Sequence, residues 1–218
     1  MELTANFIIG MVICAIVSYL VGGTNGAIIF SKLVYHQDIR DYGSKNPGFT
    51  NFKRVYGNGI ISWIVMIFDI AKTALCVFLT SLIFEKVLGA DYSQFGAAFS
   101  GLFCMIGHCL PVWYKFRGGK AFMAGFATTW FVNWRMALIA MGIFLLILFI
   151  CWYMSIASCI ASLACPVTLF ILGNSEIGYN HISVWILCLV SALLVIVRHY
   201  PNFIKLKNHT ESKFSLRK

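Results

Sequence analysis

Three polar segments interrupt an otherwise apolar chain: GSKNPGFTNFKR at 43–54, KFRGGKAF at 115–122 and RHYPNFIK at 198–205. Each segment combines lysine or arginine with hydroxyl, amide or backbone N–H groups that donate hydrogen bonds. Cations and hydrogen-bond donors together suit phosphate or carboxylate groups, because hydrogen bonds to a charged acceptor are short and strong. The residue types therefore predict anion binding.

The glycine pair of the second segment gives the clearest signal. Gly118 and Gly119 lack a Cβ atom, so the backbone can approach a ligand closely. Lys120 then begins an apolar helix, and amides at a helix N-terminus beside cations form a phosphate-sized site. The P-loop pattern G-x-x-x-x-G-K-[ST] is absent. The alternative is a turn that only carries the positive charges of a membrane loop.

The first segment is predicted to be a loop rather than a helix. Pro47, with Gly43 and Gly48, prevents a regular helix through 43–48. A solvated turn is the alternative to a binding loop. The predicted anion ligands of this segment are Ser44, Asn46, Thr50, Asn51 and Arg54.

The third segment and one apolar run supply further candidates. His199 and Asn202 are three residues apart and would share a face of a continuing helix. His199 is a candidate base, although a histidine at a helix end is often structural. Ser155 and Ser158 have the same spacing between two apolar runs, where small hydroxyls usually serve packing.

The elements that position these residues are predicted to be membrane helices. The chain of 218 residues is 60% hydrophobic and only 11% charged, whereas soluble domains carry about 25% charged residues. Unbroken apolar runs exclude the alternating strands of a membrane barrel. We predict an all-α integral membrane protein with about seven transmembrane helices, near 5–30, 59–84, 94–114, 121–133, 136–153, 155–173 and 181–198.

Charge placement predicts the orientation of these spans. Fourteen of the seventeen lysines and arginines lie in 32–58, 114–120 and the region from 198 onward. The positive-inside rule then places the N-terminus outside and the C-terminus in the cytoplasm. Residues 1–218 form a single polytopic domain whose motif loops 40–57, 107–121 and 198–211 share the cytoplasmic face. The net charge of +9 thus reflects topology and phosphate binding rather than nucleic-acid binding.

Other features have simpler predicted roles. Asp69 and Lys72, at i,i+3 within one span, are expected to form a salt bridge. The eight cysteines lie mostly in apolar runs without a C-x-x-C pair, so they are interpreted as packing residues, and no metal site is predicted. His36 and Asp41 match H-x-x-x-x-D by chance, since no soluble domain surrounds them. The tail 203–218 either lies on the inner leaflet or frays.

The ordered motifs resemble those of the bacterial acyl-phosphate:glycerol-3-phosphate acyltransferases, the PlsY type. That family carries GSGN-x-GATN-x-x-R, GH-x-x-P…F-K-G-G-K and RH-x-x-N-I-x-R-L, and here they read GSKNPGFTNFKR, GHCLPVWYKFRGGK and RHYPNFIKL. The D-x-x-K pair also matches. Departures are Lys45 and His209 in place of glycines, Phe49 in place of alanine, and residues 121–124 after the lysine.

The resemblance implies an enzyme that moves a fatty acyl group from acyl phosphate to glycerol 3-phosphate and releases phosphate and lysophosphatidic acid. It implies that Arg54 and Lys120 hold phosphate oxygens, and that Ser158, His199 and Asn202 orient the glycerol hydroxyl. Either His199 or the glycerol phosphate takes the proton. Ser44, Lys120, His199 and Asn202 are the implied catalytic residues. The implied substrate-binding residues are Asn46, Thr50, Asn51, Arg54, Gly118, Gly119 and Ser158.

The resemblance also implies the setting of the reaction. We expect no cofactor and no metal. The expected partners are fatty acyl phosphate, glycerol 3-phosphate and membrane lipids, with an enzyme that produces acyl phosphate as a candidate partner. The expected location is the bacterial inner membrane, as a multi-pass protein. The alternative function is a small anion or phosphometabolite transporter, although no inverted repeat is visible.

Overall fold

The structure, a computed structural model, describes the backbone of residues 2–176 and 181–215, and side chains within 7–172 and 182–215. The end of the tail predicted over 203–218 therefore lies outside the described residues. This part of the chain is helical throughout apart from turns and short 3-10 segments. Its α-helices are α1 Glu2–Gly23, α2 Gly26–Tyr35, α3 Phe49–Tyr56, α4 Ile60–Leu88, α5 Ser93–Cys109, α6 Phe122–Val132, α7 Trp134–Cys151, α8 Met154–Glu176, α9 His181–Arg198 and α10 Tyr200–Lys207.

The predicted apolar runs coincide with the long helices, and the all-α integral membrane class is confirmed. Five described segments are long and apolar enough to cross a membrane: Phe7–Tyr35, Ile60–Leu88, Ala90–Tyr114, Trp134–Cys151 and Met154–Leu172. The pair α9–α10 is bent by 46° and counts as a sixth span if taken as one. Helix α6 has 11 residues, which is shorter than a typical crossing. The count of seven spans and the orientation stay predictions.

A break within the first apolar run separates α1 from α2. The run predicted as one span over 5–30 overlaps one candidate span, Phe7–Tyr35, inside which α1 ends at Gly23 and α2 begins at Gly26. Asn25 caps α2, because its Oδ1 accepts the Ile28 N–H at 3.0 Å. Its Nδ2 donates to the Pro47 carbonyl at 3.0 Å. The break therefore anchors the loop that contains the first polar segment.

Helix packing relies on small residues where backbones approach. A Cβ atom at Gly107 of α5 would overlap the Tyr19 carbonyl of α1, and one at Gly22 would overlap the backbone of Cys104. Such close approach is the usual basis of helix association in lipid. The apolar core between the helices includes Val77, Ala97, Val132, Met136 and Leu169, one from each of α4 to α8.

A buried ion pair ties α4 to the break and to α5. Lys72 Nζ lies 2.9 Å from Asp69 Oδ1, which confirms the predicted pair. Lys72 also donates to the Thr24 carbonyl and lies 3.2 Å from His108 Nδ1. Helix α5 ends at Cys109, two residues before Pro111. The Asp69–Lys72 pair thus connects α4 to α5 and to the break between α1 and α2.

Candidate active site

The three polar segments meet at one cavity of about 250 Å³ at one end of the bundle. Helices α3, α4, α6 and α8 contribute its walls together with the segment around α10. Nine of the predicted site residues line it: Ser44, Asn46, Thr50, Asn51, Arg54, Lys120, Ser158, His199 and Asn202. Gly118 and Gly119 do not line this cavity. Residues up to 158 positions apart in the sequence are therefore brought together by the fold, as the resemblance implied.

The first segment is organised around a buried asparagine. Asn51 is 1% exposed. Its Oδ1 accepts the Ser44 N–H at 2.7 Å, and its Nδ2 donates to the Tyr42 carbonyl at 3.1 Å. These bonds hold the turn at Gly43, whose φ is +58°. Asn51 thus uses its amide to shape the loop that presents Ser44.

Helix α3 was not predicted, and it places two candidate ligands on one side. It begins at Phe49, after Pro47 and Gly48. Thr50 and Arg54 are four residues apart, so they share a helix face. Both line the cavity, and Arg54 is exposed. The short helix therefore directs a hydroxyl and a guanidinium to the same space.

The glycine pair of the second segment has its backbone groups engaged by the protein. The Gly119 N–H donates to the His108 carbonyl at 3.0 Å. Arg198 donates from Nη2 to the Gly118 carbonyl and from Nε to the Gly119 carbonyl, each at 3.1 Å. A Cβ atom at Gly119 would overlap the His108 ring. The glycines therefore let the loop pack tightly and place Lys120, and the Gly119 N–H is not free for a substrate.

Lys120 belongs to a polar chain across the cavity. Its Nζ donates to Asn202 Oδ1, and Asn202 Nδ2 donates to Glu211 Oε1 at 2.6 Å. Burial lowers the pKa of Lys120 to about 8, and the charge of Glu211 opposes this shift. The ammonium is thus held in a partly desolvated place where an anion is attracted more strongly than in water.

His199 lies at the bend between α9 and α10. The chain does not continue as one helix through Asn202, as the shared-face argument assumed, yet both side chains line the cavity. His199 Nδ1 is 2.8 Å from the Val195 carbonyl. A carbonyl only accepts, so Nδ1 carries the proton and the neutral ring has its lone pair on Nε2. That nitrogen is suited to accept a proton.

Helix α8 contributes two buried hydroxyls, of which the resemblance implied only Ser158 as a substrate ligand. Ser155 and Ser158 are 1% and 3% exposed, and both line the cavity. Ser155 Oγ has no hydrogen-bond partner in the described part of the chain. The spacing S-x-x-S between two spans made both serines candidates, but it did not show whether each hydroxyl binds a ligand or only packs against its neighbours.

The tail beyond α10 is not frayed as far as residue 215, because it contacts the bundle and lines the cavity, while its predicted contact with the inner leaflet stays a prediction. Lys53 Nζ donates to the Ser215 carbonyl at 3.1 Å, and the Phe214 N–H donates to the Trp152 carbonyl at 2.7 Å. Glu211 enters the site in this way. Sequence reasoning missed it, although an acidic residue within a basic tail was a signal.

A helical membrane protein with a cationic, hydroxyl-lined cavity at one end of its bundle belongs to the class that handles phosphorylated substrates. Residues 12–209 match a family model described as glycerol-3-phosphate acyltransferase. The chain therefore belongs to the glycerol-3-phosphate acyltransferase family, and the resemblance seen in the motifs is confirmed. Membership of an enzyme family leaves the transporter alternative without support.

Individual relatives agree with the family match. A glycerol-3-phosphate acyltransferase of Ureaplasma urealyticum is 34% identical, over 95% of this chain and 91% of the relative. One of Finegoldia magna is also 34% identical, over 93% of this chain and 96% of the relative. The crystal structure of PlsY, an integral membrane glycerol 3-phosphate acyltransferase, in its glycerol 3-phosphate form has a TM-score of 0.80 and 29% identity, covering 94% of this chain and 96% of that chain.

Proposed function

We propose that this protein transfers a fatty acyl group from acyl phosphate to glycerol 3-phosphate, giving lysophosphatidic acid and phosphate for phospholipid synthesis. The observation that carries the proposal is the convergence of Ser44, Arg54, Lys120, Ser158 and His199 on one cavity. A dianionic acceptor requires cations, and its hydroxyl requires a nearby base and hydrogen-bond partners. The cavity offers each of these groups.

The size and lining of the cavity support these two substrates. Solved PlsY structures are described as a glycerol 3-phosphate form and a lysophosphatidic acid form, which supports a glycerol phosphate acceptor here. The cavity of about 250 Å³ is smaller than the ~300–1,000 Å³ of sites for drug-sized ligands. A phosphate head group fits this space better than a coenzyme A nucleotide does. Phe122, Met123 and Met154 add an apolar side for the start of an acyl chain.

The chemistry needs no covalent intermediate, because acyl phosphate is already an activated mixed anhydride. The acceptor hydroxyl oxygen attacks the acyl carbonyl carbon, and a new ester C–O bond forms. The C–O bond to phosphate breaks, and phosphate leaves with the electron pair. The hydroxyl proton passes to His199 Nε2 or to a phosphate oxygen of the acceptor. Lys120 and Arg54 hold phosphate oxygens, so the rate enhancement comes from positioning and charge stabilisation.

The proposed location and orientation of the protein rest on the placement of its charges and on its family. We place the protein in the bacterial cell membrane as one polytopic domain with seven spans, its motif loops 40–57, 107–121 and 198–211 on the cytoplasmic face. Water-soluble glycerol 3-phosphate reaches the cavity from that side. An enzyme that produces acyl phosphate is the expected supplier of the donor.

A comparison of donors tests this proposal. The purified protein in detergent receives glycerol 3-phosphate with either palmitoyl phosphate or palmitoyl-CoA, and lysophosphatidic acid is measured. We expect product from palmitoyl phosphate alone, and a lower rate from a parallel preparation of His199→Ala, because the ring orients the acceptor hydroxyl whichever group takes the proton. Product from palmitoyl-CoA alone would refute the proposed donor. No product from either donor, in folded protein, would refute the enzyme itself.

A further inference from the structure

A second cavity, of about 470 Å³, adjoins the active-site cavity; we call it the basic cavity. The residues that line both cavities are Ser44, Asn46, Lys120, Asn202 and Lys205. The two cavities therefore lie against the same five residues, which we call the shared wall. The cations that line the basic cavity are Arg40, Lys45, Arg117, Lys120, Arg198 and Lys205, and no aspartate or glutamate lines it.

Part of this positive charge is not compensated by the protein. Arg40 pairs with Asp38 at 2.7 Å, and Arg198 is bonded to the carbonyls of the glycine loop. The side chains of Lys45, Arg117 and Lys205 have no hydrogen bond or ion pair within the part of the chain that the structure describes. A concave surface with unbalanced charge of one sign concentrates ions of the opposite sign.

The neighbouring surface shows that single-sign charge is not a general property of this end of the bundle. A further cavity of about 420 Å³ lies beside the basic cavity, and it shares Arg40 and Arg117 with it. Asp38 and Asp41 also line this neighbour, together with Lys115. The neighbouring cavity, which Lys32 also lines, thus has two acids against four cations, whereas the basic cavity has six cations and no acid.

The backbone conformation at Lys45 allows its charge to be removed cleanly. Lys45 has φ of +61°, in the left-handed region that glycine adopts easily and lysine does not. The chain therefore holds a lysine at a conformational cost where glycine would fit better, and the side chain lines the basic cavity. Replacement of Lys45 by glycine should therefore remove the charge without straining the backbone.

We propose that the basic cavity is a second binding site for small phosphate dianions, separate from the catalytic cavity and joined to it at the shared wall. The inference rests on the proposed function, in which one phosphate compound must enter and another must leave on the aqueous side. Glycerol 3-phosphate on its way in and inorganic phosphate on its way out have the chemistry that this cavity recognises.

A matched pair of variants tests the site. Lys115 also has a left-handed backbone, with φ of +57°, but it lines the neighbouring cavity that contains acids. Lys45→Gly and Lys115→Gly each remove one charge and one strained lysine, so both should unfold at the same temperature as the wild type or higher. Only Lys45→Gly should alter phosphate binding. Arg117→Gln provides a second test that does not depend on glycine.

The readouts at low salt are kcat/KM for glycerol 3-phosphate and the inhibition constant of inorganic phosphate. Loss of one nearby charge should change them by about threefold to tenfold, and the change should shrink as salt is added. A change only in kcat/KM assigns the site to the entering acceptor, and a change only in inhibition assigns it to the leaving phosphate. Values for Lys45→Gly and Arg117→Gln equal to those of Lys115→Gly would overturn the proposal.

A failure of the proposed function has a different signature. In that case wild-type protein makes no lysophosphatidic acid, whereas the basic cavity is still tested by binding. The rise in unfolding temperature on adding inorganic phosphate or glycerol 3-phosphate should then be smaller in Lys45→Gly than in Lys115→Gly. An equal rise in the two variants would refute the site independently of catalysis.

Discussion

Replacing Lys120 with alanine should reduce catalysis strongly while leaving the fold intact. Lys120 lines both cavities, and among the residues that the structure describes its ammonium bonds only to Asn202, which in turn bonds to Glu211. One unit charge 4 Å from a phosphate oxygen contributes about 4 kcal/mol at an effective dielectric constant near 20. Removal of one such contact from a catalytic site typically costs ~10²–10³-fold in rate. We expect kcat/KM to fall by about that factor.

The assay is the initial rate of lysophosphatidic acid formation at varied glycerol 3-phosphate, with the variant's unfolding temperature as a check on folding. Lys115→Ala is the matched control, because it removes a lysine of the same loop that lies outside the active-site cavity. Its rate should remain within about twofold of the wild type, since charges at exposed positions contribute little. A Lys120→Ala variant with nearly wild-type kcat/KM would show that this cavity is not the catalytic one.

Three further predictions test the account in other ways. Because the pKa of Lys120 lies at about 8, its positive charge is lost as pH rises through that value, so kcat/KM should fall above pH 8. In Lys120→Arg this fall should move to higher pH, and an unchanged pH profile would contradict the role of the Lys120 charge. Lys72→Met leaves the buried Asp69 carboxylate without its cation, so the free energy of unfolding should fall by about 3–5 kcal/mol in a denaturation experiment. A variant with the stability of the wild type would refute the structural role of the pair. Ser155→Ala removes a hydroxyl that has no partner among the described residues, so stability should stay constant while KM for glycerol 3-phosphate rises about threefold to tenfold. The control Ser81→Ala, which breaks a 2.9 Å bond to the Phe78 carbonyl, should lower stability by about 1 kcal/mol without changing KM, and the opposite pattern would show that Ser155 only packs.

Much of the fold could be predicted because it depends on the local pattern of apolar residues along the chain. Runs of apolar residues long enough to cross a bilayer must be helical, since a membrane offers no partner for free backbone groups. Helices α4 to α9 therefore begin and end within a few residues of the predicted runs. The pairing of Asp69 with Lys72 was predictable for the same reason, because i,i+3 neighbours face each other on any helix.

The features that were missed depend on contacts between distant segments. The break at Thr24 is supported by the donation of Lys72 to its carbonyl, and nothing in the apolar run itself signals that contact. Helix α3 follows a proline and a glycine that correctly predict a loop before it but not a helix after it. The bend at His199 and the return of Glu211 to the cavity also require the assembled bundle.

For the candidate site, the residue types could be predicted from the sequence, but the geometry could not. Residue types predicted an anion site and its ligands, and the fold gathers most of them at one cavity. The predicted role of the glycine amides differs from the geometry, because the Gly119 N–H is used by the His108 carbonyl. A sequence shows that glycine permits close approach, but it does not show whether a ligand or the protein itself makes that approach.

The most direct test of the central claim is the stoichiometry of the reaction with acyl phosphate. Inorganic phosphate and lysophosphatidic acid are measured in one time course, with and without glycerol 3-phosphate. The account predicts equal amounts of the two products and no phosphate release without the acceptor. Phosphate released at the same rate in its absence would identify a hydrolase, and would contradict an acyl transfer in which the acceptor hydroxyl is the nucleophile.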